Sequence, residues 1–217
     1  MRWLRPHADS PTLARDRVPA RVAWLTGQSS WRHQRLSPAQ HRVLDALAAQ
    51  GYAPVRAGFP WTQRAAERPW RGERLGTASV RNTVQGLAAR PGSRFGDAVA
   101  HHLQPLLTTT DERLLLLCAS AGARMIWSAT AAVRVPPGLR IDVVGIGPVG
   151  ALPPTEGPWH VHRVRGERDR ISALGHRTRA DALVPGGHLD AATSAAAVTA
   201  VLALVGPAAT TPTGGAP

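Results

Sequence analysis

Three residues far apart in the chain have the types and settings needed for nucleophilic acyl chemistry: Ser120, Asp169 and His188. Ser120 lies in CASAG, directly after the most apolar run of the chain, Leu114–Ala119, and directly before a helical pattern, AGARMIWSATAA. A serine on such a sharp turn holds its hydroxyl above the end of a sheet, at the positive end of a helix. The turn crowds its neighbours, and Cys118, Ala119, Ala121 and Gly122 are all small. A serine hydroxyl is a weak nucleophile and needs a base. His188, in VPGGHLD after the last short apolar run, can supply it, and the two glycines let the backbone turn the imidazole across the strand ends. A carboxylate must fix that imidazole's tautomer and stabilise its cation, and Asp169, in RGERDRIS, is the candidate. Each residue also has a plainer reading. Ser120 suits a helix N-cap, His188 a surface loop, and Asp169 an ion pair with a neighbouring arginine. Glu167 and Asp190 compete with Asp169 for the acid's role, and Asp142 stands in reserve.

These side chains need a scaffold that carries them to one edge. The spacing predicts strands at Val22–Thr26, Tyr52–Ala57, Leu114–Ala119, Leu139–Ile146, Trp159–Val164 and Ala182–Val184. Helical patterns alternate with them: one opened by Ser37-Pro38 and stopped at Gly51, two around 78–89 and 95–107, one after Ser120, and a last one over 193–205. An apolar run such as LLLLCA fits a strand buried on both faces of a parallel sheet. Strand and helix in alternation predict an α/β, three-layer sandwich with a mostly parallel sheet of about six strands. In such folds ligands bind at the carboxyl ends of the strands, where Gly27-Gln28-Ser29, Ser120, Asp169 and His188 all fall. Residues 1–20, polar and broken by Pro6 and Pro11, read as a loosely held arm, residues 21–205 as the folded domain, and residues 206–217 as a disordered tail.

Composition narrows the classes. In 217 residues, 43% are hydrophobic and 18% charged, which excludes a wholly disordered chain. No stretch reaches 18 consecutive apolar residues, so no membrane span is expected. The beginning, MRWLRPHADS, lacks the apolar segment of a secretory signal, and a single cysteine, Cys118, leaves no disulfide framework; a cytoplasmic location is the expectation. All 26 basic residues other than histidine are arginines, and against 14 carboxylates they give a net charge of +12. Such a surface attracts phosphates and nucleic acid. The arginines are spread along the chain, with no run of five basic residues and no nucleic-acid-binding motif, so nucleic acid is not the expected partner. His160 and His162 share one face of a strand, but no third ligand accompanies them, and no metal or other cofactor is expected. His101 and His102, in a helical pattern, are expected to face solvent, Cys118 to be a small buried residue, and Trp31, Trp61 and Trp70 either to line a pocket or to cover the core edge.

The order serine, acid, histidine, each after its strand, resembles the α/β-hydrolase family. The resemblance covers roughly Val22 to Val205, with GERDRIS resembling the family's acid loop and GGHLD its histidine loop. It implies a serine hydrolase that cleaves a carboxylic ester, with Ser120, Asp169 and His188 as the catalytic residues. It further implies an oxyanion hole formed by the backbone N–H groups of Ala121 and of Gln28. The chain departs from the family pattern at the elbow, which reads C-x-S-x-G. About 21 residues precede the first clear strand, so the family's early antiparallel strands are reduced or absent. About a dozen residues separate Ile146 from Trp159, which leaves no room for a cap domain. Two rival readings stand beside this one: a catalytically inactive protein of the same fold that binds a ligand, and a basic protein that binds nucleic acid.

Overall fold

A computed structural model describes residues 2–26, 35–67, 84–175 and 179–208. Six strands form one sheet: β1 (Val18–Thr26), β2 (Ala53–Gly58), β3 (Thr110–Ser120), β4 (Arg140–Pro148), β5 (Trp159–Gly166) and β6 (Ala182–Val184). Their order is β2-β1-β3-β4-β5-β6, and all five pairings are parallel. The helices are α1 (Pro38–Ala48), α2 (Gln63–Glu67), α3 (Arg94–Thr108), α4 (Gly122–Ala129), α5 (Arg170–Gly175) and α6 (Ala195–Val205).

Alternation along the strands builds two cores. On β1 and β3, Ala23, Leu25, Leu114, Leu116 and Cys118 point to one face and meet α3 and α4 through Val99, Leu103, Met125 and Ile126. Val22, Trp24, Leu115 and Leu117 point to the other face and meet α1 and α6 through Val43, Leu44, Leu47, Val201 and Val205. The central strands are apolar on both faces because both are covered, the three-layer arrangement expected from the sequence. Helix starts follow local chemistry. Ser37 and Gln40 form a reciprocal cap at α1, with the Gln40 N–H donating to Ser37 Oγ at 3.2 Å and the Ser37 N–H to Gln40 Oε1 at 2.9 Å.

The strand order reverses at β1. The chain steps outward from β1 to β2, then returns to place β3 on β1's other side. A crevice opens beyond the carboxyl ends of strands at such a switch. Residues 149–158 alone join β4 to β5, so no cap domain is inserted there.

Several boundaries differ from the sequence expectation. β1 begins at Val18, four residues before Val22. Pro19 and Arg21 disguise this start. Pro19 sits within a register shift, and Arg21 is buried, its guanidinium donating to Asp16 O, Thr109 O and Thr110 Oγ1. The residues ahead of β1 are packed rather than loose: Leu4, His7 and Ala14 are buried, and Thr12 bridges Thr62. At the other end, Ala208 is buried and its N–H donates to Gln50 O at 3.0 Å. β3 extends back to Thr110 through the polar Asp111-Glu112-Arg113, whose side chains lie at the solvent end of the strand. Trp61 is fully buried in the first core and donates Nε1–H to Trp24 O at 2.9 Å, so it covers the core edge. His102 does not face solvent; it is buried edge-on to Phe59, 5.8 Å between ring centres, while His101 is exposed. Burial, with His101 and His7 adding to it, pushes His102 down to about 4. Gln28, Trp31 and Trp70 lie outside the described residues, as does much of the predicted helix at 78–89, of which residues 84–88 are helical.

Candidate active site

Ser120 is the last residue of β3, and α4 begins two residues later. Its φ is +52°, a left-handed conformation that costs a residue with a Cβ about 1–2 kcal/mol. The chain around it over-determines that strain. The Ser120 carbonyl accepts from the Val149 N–H at 2.9 Å, which ties the turn to the end of β4. Gly122 seats α4 against β1 so closely that a Cβ there would stand 2.0 Å from Leu25 O. Only glycine allows this approach, so the small residue two positions after the serine is a packing requirement. Cys118, two positions before, is fully buried in the first core, and burial pushes its thiol pKa up, which removes it as a nucleophile.

Asp169 and His188 are brought together by backbone pairing between their loops. The Glu167 N–H donates to Val184 O at 2.9 Å and the Arg168 N–H to Gly186 O at 3.0 Å. His188 Nδ1 then lies 3.0 Å from Asp169 Oδ2 and 3.1 Å from Oδ1. Asp169 is buried, and its carboxylate is held from three further directions: Oδ1 accepts from the Ile171 and Ser172 N–H groups at 3.1 and 3.0 Å, and Oδ2 from Ser172 Oγ–H at 2.7 Å. Burial alone would raise its pKa; the Ser172 and His188 hydrogen bonds outweigh that and hold it below the usual carboxylate range. Asp169 therefore stays ionised at neutral pH and orients the Nδ1–H tautomer of His188, leaving Nε2 as the acceptor. Glu167 and Asp190, the rival acids, are both exposed and make no bond to His188.

Gly147 connects this pair to the serine. It has φ +56° at the end of β4, and a Cβ there would stand 2.7 Å from Asp169 Oδ2 and 3.3 Å from His188 Nδ1. The neighbouring Pro148 is the register partner of Ser120. Adjacent strands lie about 4.8 Å apart, so the Ser120 backbone stands one strand spacing from the backbone next to the glycine on which the acid–base pair packs. Among the described residues Ser120 Oγ makes no direct hydrogen bond, to His188 or to any other group. Catalytic contacts of this kind commonly close only around substrate. Ala121 is buried directly after the serine.

Sequence reasoning missed Gly147 and Ser172. Ser172 was visible as the third residue after an aspartate at a helix start, the spacing of a side-chain cap. Gly147 carried no signal beyond a glycine at a strand end.

The other candidates serve the fold. Asp142 is fully buried near the opposite ends of the strands. Its carboxylate pairs with Arg113 Nε at 2.7 Å and Arg140 NH2 at 3.0 Å, with His162 Nε2 at 3.5 Å. Burial resists its ionisation, and these hydrogen bonds outweigh burial and hold it far below the usual range. His162 thus faces a carboxylate, while His160 is exposed. No group of three metal-ligating side chains occurs among the described residues. No described helix is long and apolar enough to cross a membrane.

No protein-family model matches this chain, and no curated protein does. Solved structures are similar to it. A dienelactone hydrolase from Anabaena variabilis is 17% identical, with a TM-score of 0.48 over 87% of this chain and 84% of that one. A candidate hydrolase of the α/β superfamily from Xanthomonas campestris pv. campestris is 15% identical, with a TM-score of 0.41 over 85% and 98% of the two chains. A protein of unknown function from Agrobacterium tumefaciens, named as a candidate α/β hydrolase, is 11% identical, with a TM-score of 0.44 over 89% and 84%.

Proposed function

We propose that the chain is a serine hydrolase that cleaves a carboxylic ester through an acyl-enzyme on Ser120. The reading is supported by a strained Ser120 turn at the end of β3 and a hydrogen-bonded Asp169–His188 pair packed on Gly147 of β4, whose neighbour Pro148 is the register partner of Ser120. A structural N-cap has no need of a left-handed serine, and a surface histidine has no need of a buried carboxylate with four hydrogen-bond donors.

The chemistry follows from these positions. His188 Nε2 takes the Ser120 hydroxyl proton as Oγ attacks the ester carbonyl. Asp169 stabilises the resulting imidazolium. The tetrahedral oxyanion accepts from the Ala121 N–H, and a preorganised donor of this kind contributes about 3–4 kcal/mol at the transition state; Gln28, outside the described residues, is the second donor that the family resemblance implies. The ester C–O bond breaks, and the leaving alkoxide takes the proton from His188. Water, deprotonated by the same imidazole, then attacks the acyl-enzyme and restores the serine.

A fluorophosphonate probe tests the reading. It is expected to label the wild-type protein on one residue and to spare Ser120→Ala. Equal labelling of both proteins, or labelling of neither, overturns it. A series of p-nitrophenyl esters of graded chain length, with the same variant as control, then defines the acyl group.

A further inference from the structure

Among the described residues, two that are not glycine hold a left-handed backbone: Ser120, at φ +52°, and Trp61, at φ +57°. Trp61 is at the same end of the sheet as Ser120, just past β2, which ends at Gly58. A bulky residue disfavours that conformation, so its surroundings must impose it. The Trp61 N–H donates to Gly58 O at 3.0 Å, and its carbonyl accepts from the Leu13 N–H at 2.8 Å. The Gln63 N–H donates to Pro11 O at 2.8 Å, and the Arg64 N–H to Ser10 Oγ at 3.2 Å. Residues 10–13 therefore lie along residues 61–64 as a strap, and His7 Nδ1 adds a contact of 2.9 Å to Thr62 Oγ1.

The backbone so held fixes where the indole points. The ring is fully buried, meets Phe59 edge-on with 5.2 Å between ring centres, and donates Nε1–H to Trp24 O at 2.9 Å. Trp24 is where β1 runs out of partner on that side. Its register partner is Gly58, the last residue of β2, and the register is already irregular between Val22 and Trp24. The indole N–H supplies there a donor that the ended strand cannot. On its other side β1 continues beside β3, Leu25 opposite Cys118 and Thr26 opposite Ala119, the residue before Ser120. Leu25 O also lies against the first residue of α4, since a Cβ on Gly122 would stand 2.0 Å from it. The carbonyls of Trp24 and Leu25 thus face opposite neighbours, Trp61 and the serine turn, and the end of β1 is held between the two.

We propose that Trp61 is a positioning residue for the nucleophile: its indole N–H, aimed by the strapped left-handed backbone, holds the end of β1 against which the Ser120 turn is seated. The effect on rate rests on the hydrolase reading; the effect on the turn does not.

The test uses Trp61→Phe, which keeps an aromatic ring and removes the donor, and Leu13→Pro, which removes the strap's N–H to Trp61 O and leaves the indole in place. Leu107→Ala is the control: it opens the same core at the other end of the sheet, where α3 leads into β3. Two readouts are taken where urea unfolding shows each protein fully folded. Backbone amide NMR signals of Ala121 and Gly122 are expected to move in Trp61→Phe, to move less in Leu13→Pro, and to stay in place in Leu107→Ala. Fluorophosphonate labelling of Trp61→Phe is expected to slow about tenfold in its maximal rate with the half-saturating probe concentration unchanged, because a misplaced reacting group loses rate rather than affinity. Leu107→Ala should label like wild type. Unmoved signals or a wild-type labelling rate in Trp61→Phe overturn the proposal, as does an equal change in Leu107→Ala. If Trp61→Phe does not fold, unmoved signals in Leu13→Pro overturn it. Moved signals in a protein whose wild type takes no label keep the positioning role and remove the hydrolase reading.

Discussion

Replacing Gly147 with alanine probes the link between the acid–base pair and the serine. Two costs follow from the structure. The φ of +56° charges alanine about 1 kcal/mol or slightly more for a left-handed backbone. The new methyl would also meet Asp169 Oδ2 at 2.7 Å, well inside normal contact, so the carboxylate must retreat by several tenths of an ångström. That retreat stretches the bond from Ser172 Oγ, 2.7 Å, or the bond to His188 Nδ1, 3.0 Å, each a charge-assisted contact worth about 1.5–3 kcal/mol. The expected loss of folding stability is about 2–4 kcal/mol, read from urea unfolding. Gly138→Ala is the matched control: its φ is +81°, yet nothing lies within 4 Å of the added methyl. It should lose only the backbone cost and keep the wild-type rate of fluorophosphonate labelling. Gly147→Ala should label about 100-fold more slowly under conditions where both variants are fully folded, since a displaced catalytic group costs about that much. Wild-type labelling by Gly147→Ala, or equal slowing by Gly138→Ala, would refute the geometry derived for the site.

Two further outcomes concern the carboxylates. Ser172→Ala removes one of the donors that hold Asp169, so ester turnover should fall about tenfold in kcat with KM little changed. Acid unfolding should begin at higher pH in this variant, because one cause of the depressed Asp169 pKa is gone and the stability it carries is lost as pH falls through its titration; an unshifted acid transition would refute that role for Ser172. Asp142→Asn should cost about 2–4 kcal/mol in urea unfolding at neutral pH, less than a fully enclosed pair because Arg140 is half exposed. The sign of its pH dependence is fixed by the depressed carboxylate. Its contribution is complete above the unfolded value of about 3.9 and is lost as pH falls below it. Wild-type stability should therefore drop between about pH 4 and pH 2, and the variant should show a shallower slope there. An identical slope in both would show that Asp142 is not held in its charged form by the two arginines.

The sequence carried the architecture because local patterns encode it. Apolar runs such as LLLLCA mark buried strands, the Ser37–Gln40 cap and Gly51 bracket a helix, and the order of strands and helices leaves few topologies for a parallel sheet. It also offered Ser120, Asp169 and His188 as candidates, each near a strand end, and the fold brings two of them, Asp169 and His188, into hydrogen-bond contact. What it concealed depends on distance through space. Arg21 falls one residue outside the expected first strand until Thr109 and Thr110 come to satisfy it inside the sheet. His102 reads as a surface residue until Phe59 packs across it. Gly147 has no side chain to advertise that a carboxylate and an imidazole rest on its backbone. Arg163 is one arginine among many until the fold buries its Nε without an acceptor. Hydrophobic period and turn chemistry are properties of neighbours in the chain, so one dimension records them. Which donor lacks an acceptor, and which glycine leaves room for a charge, are set only when distant strands pair and exclude water.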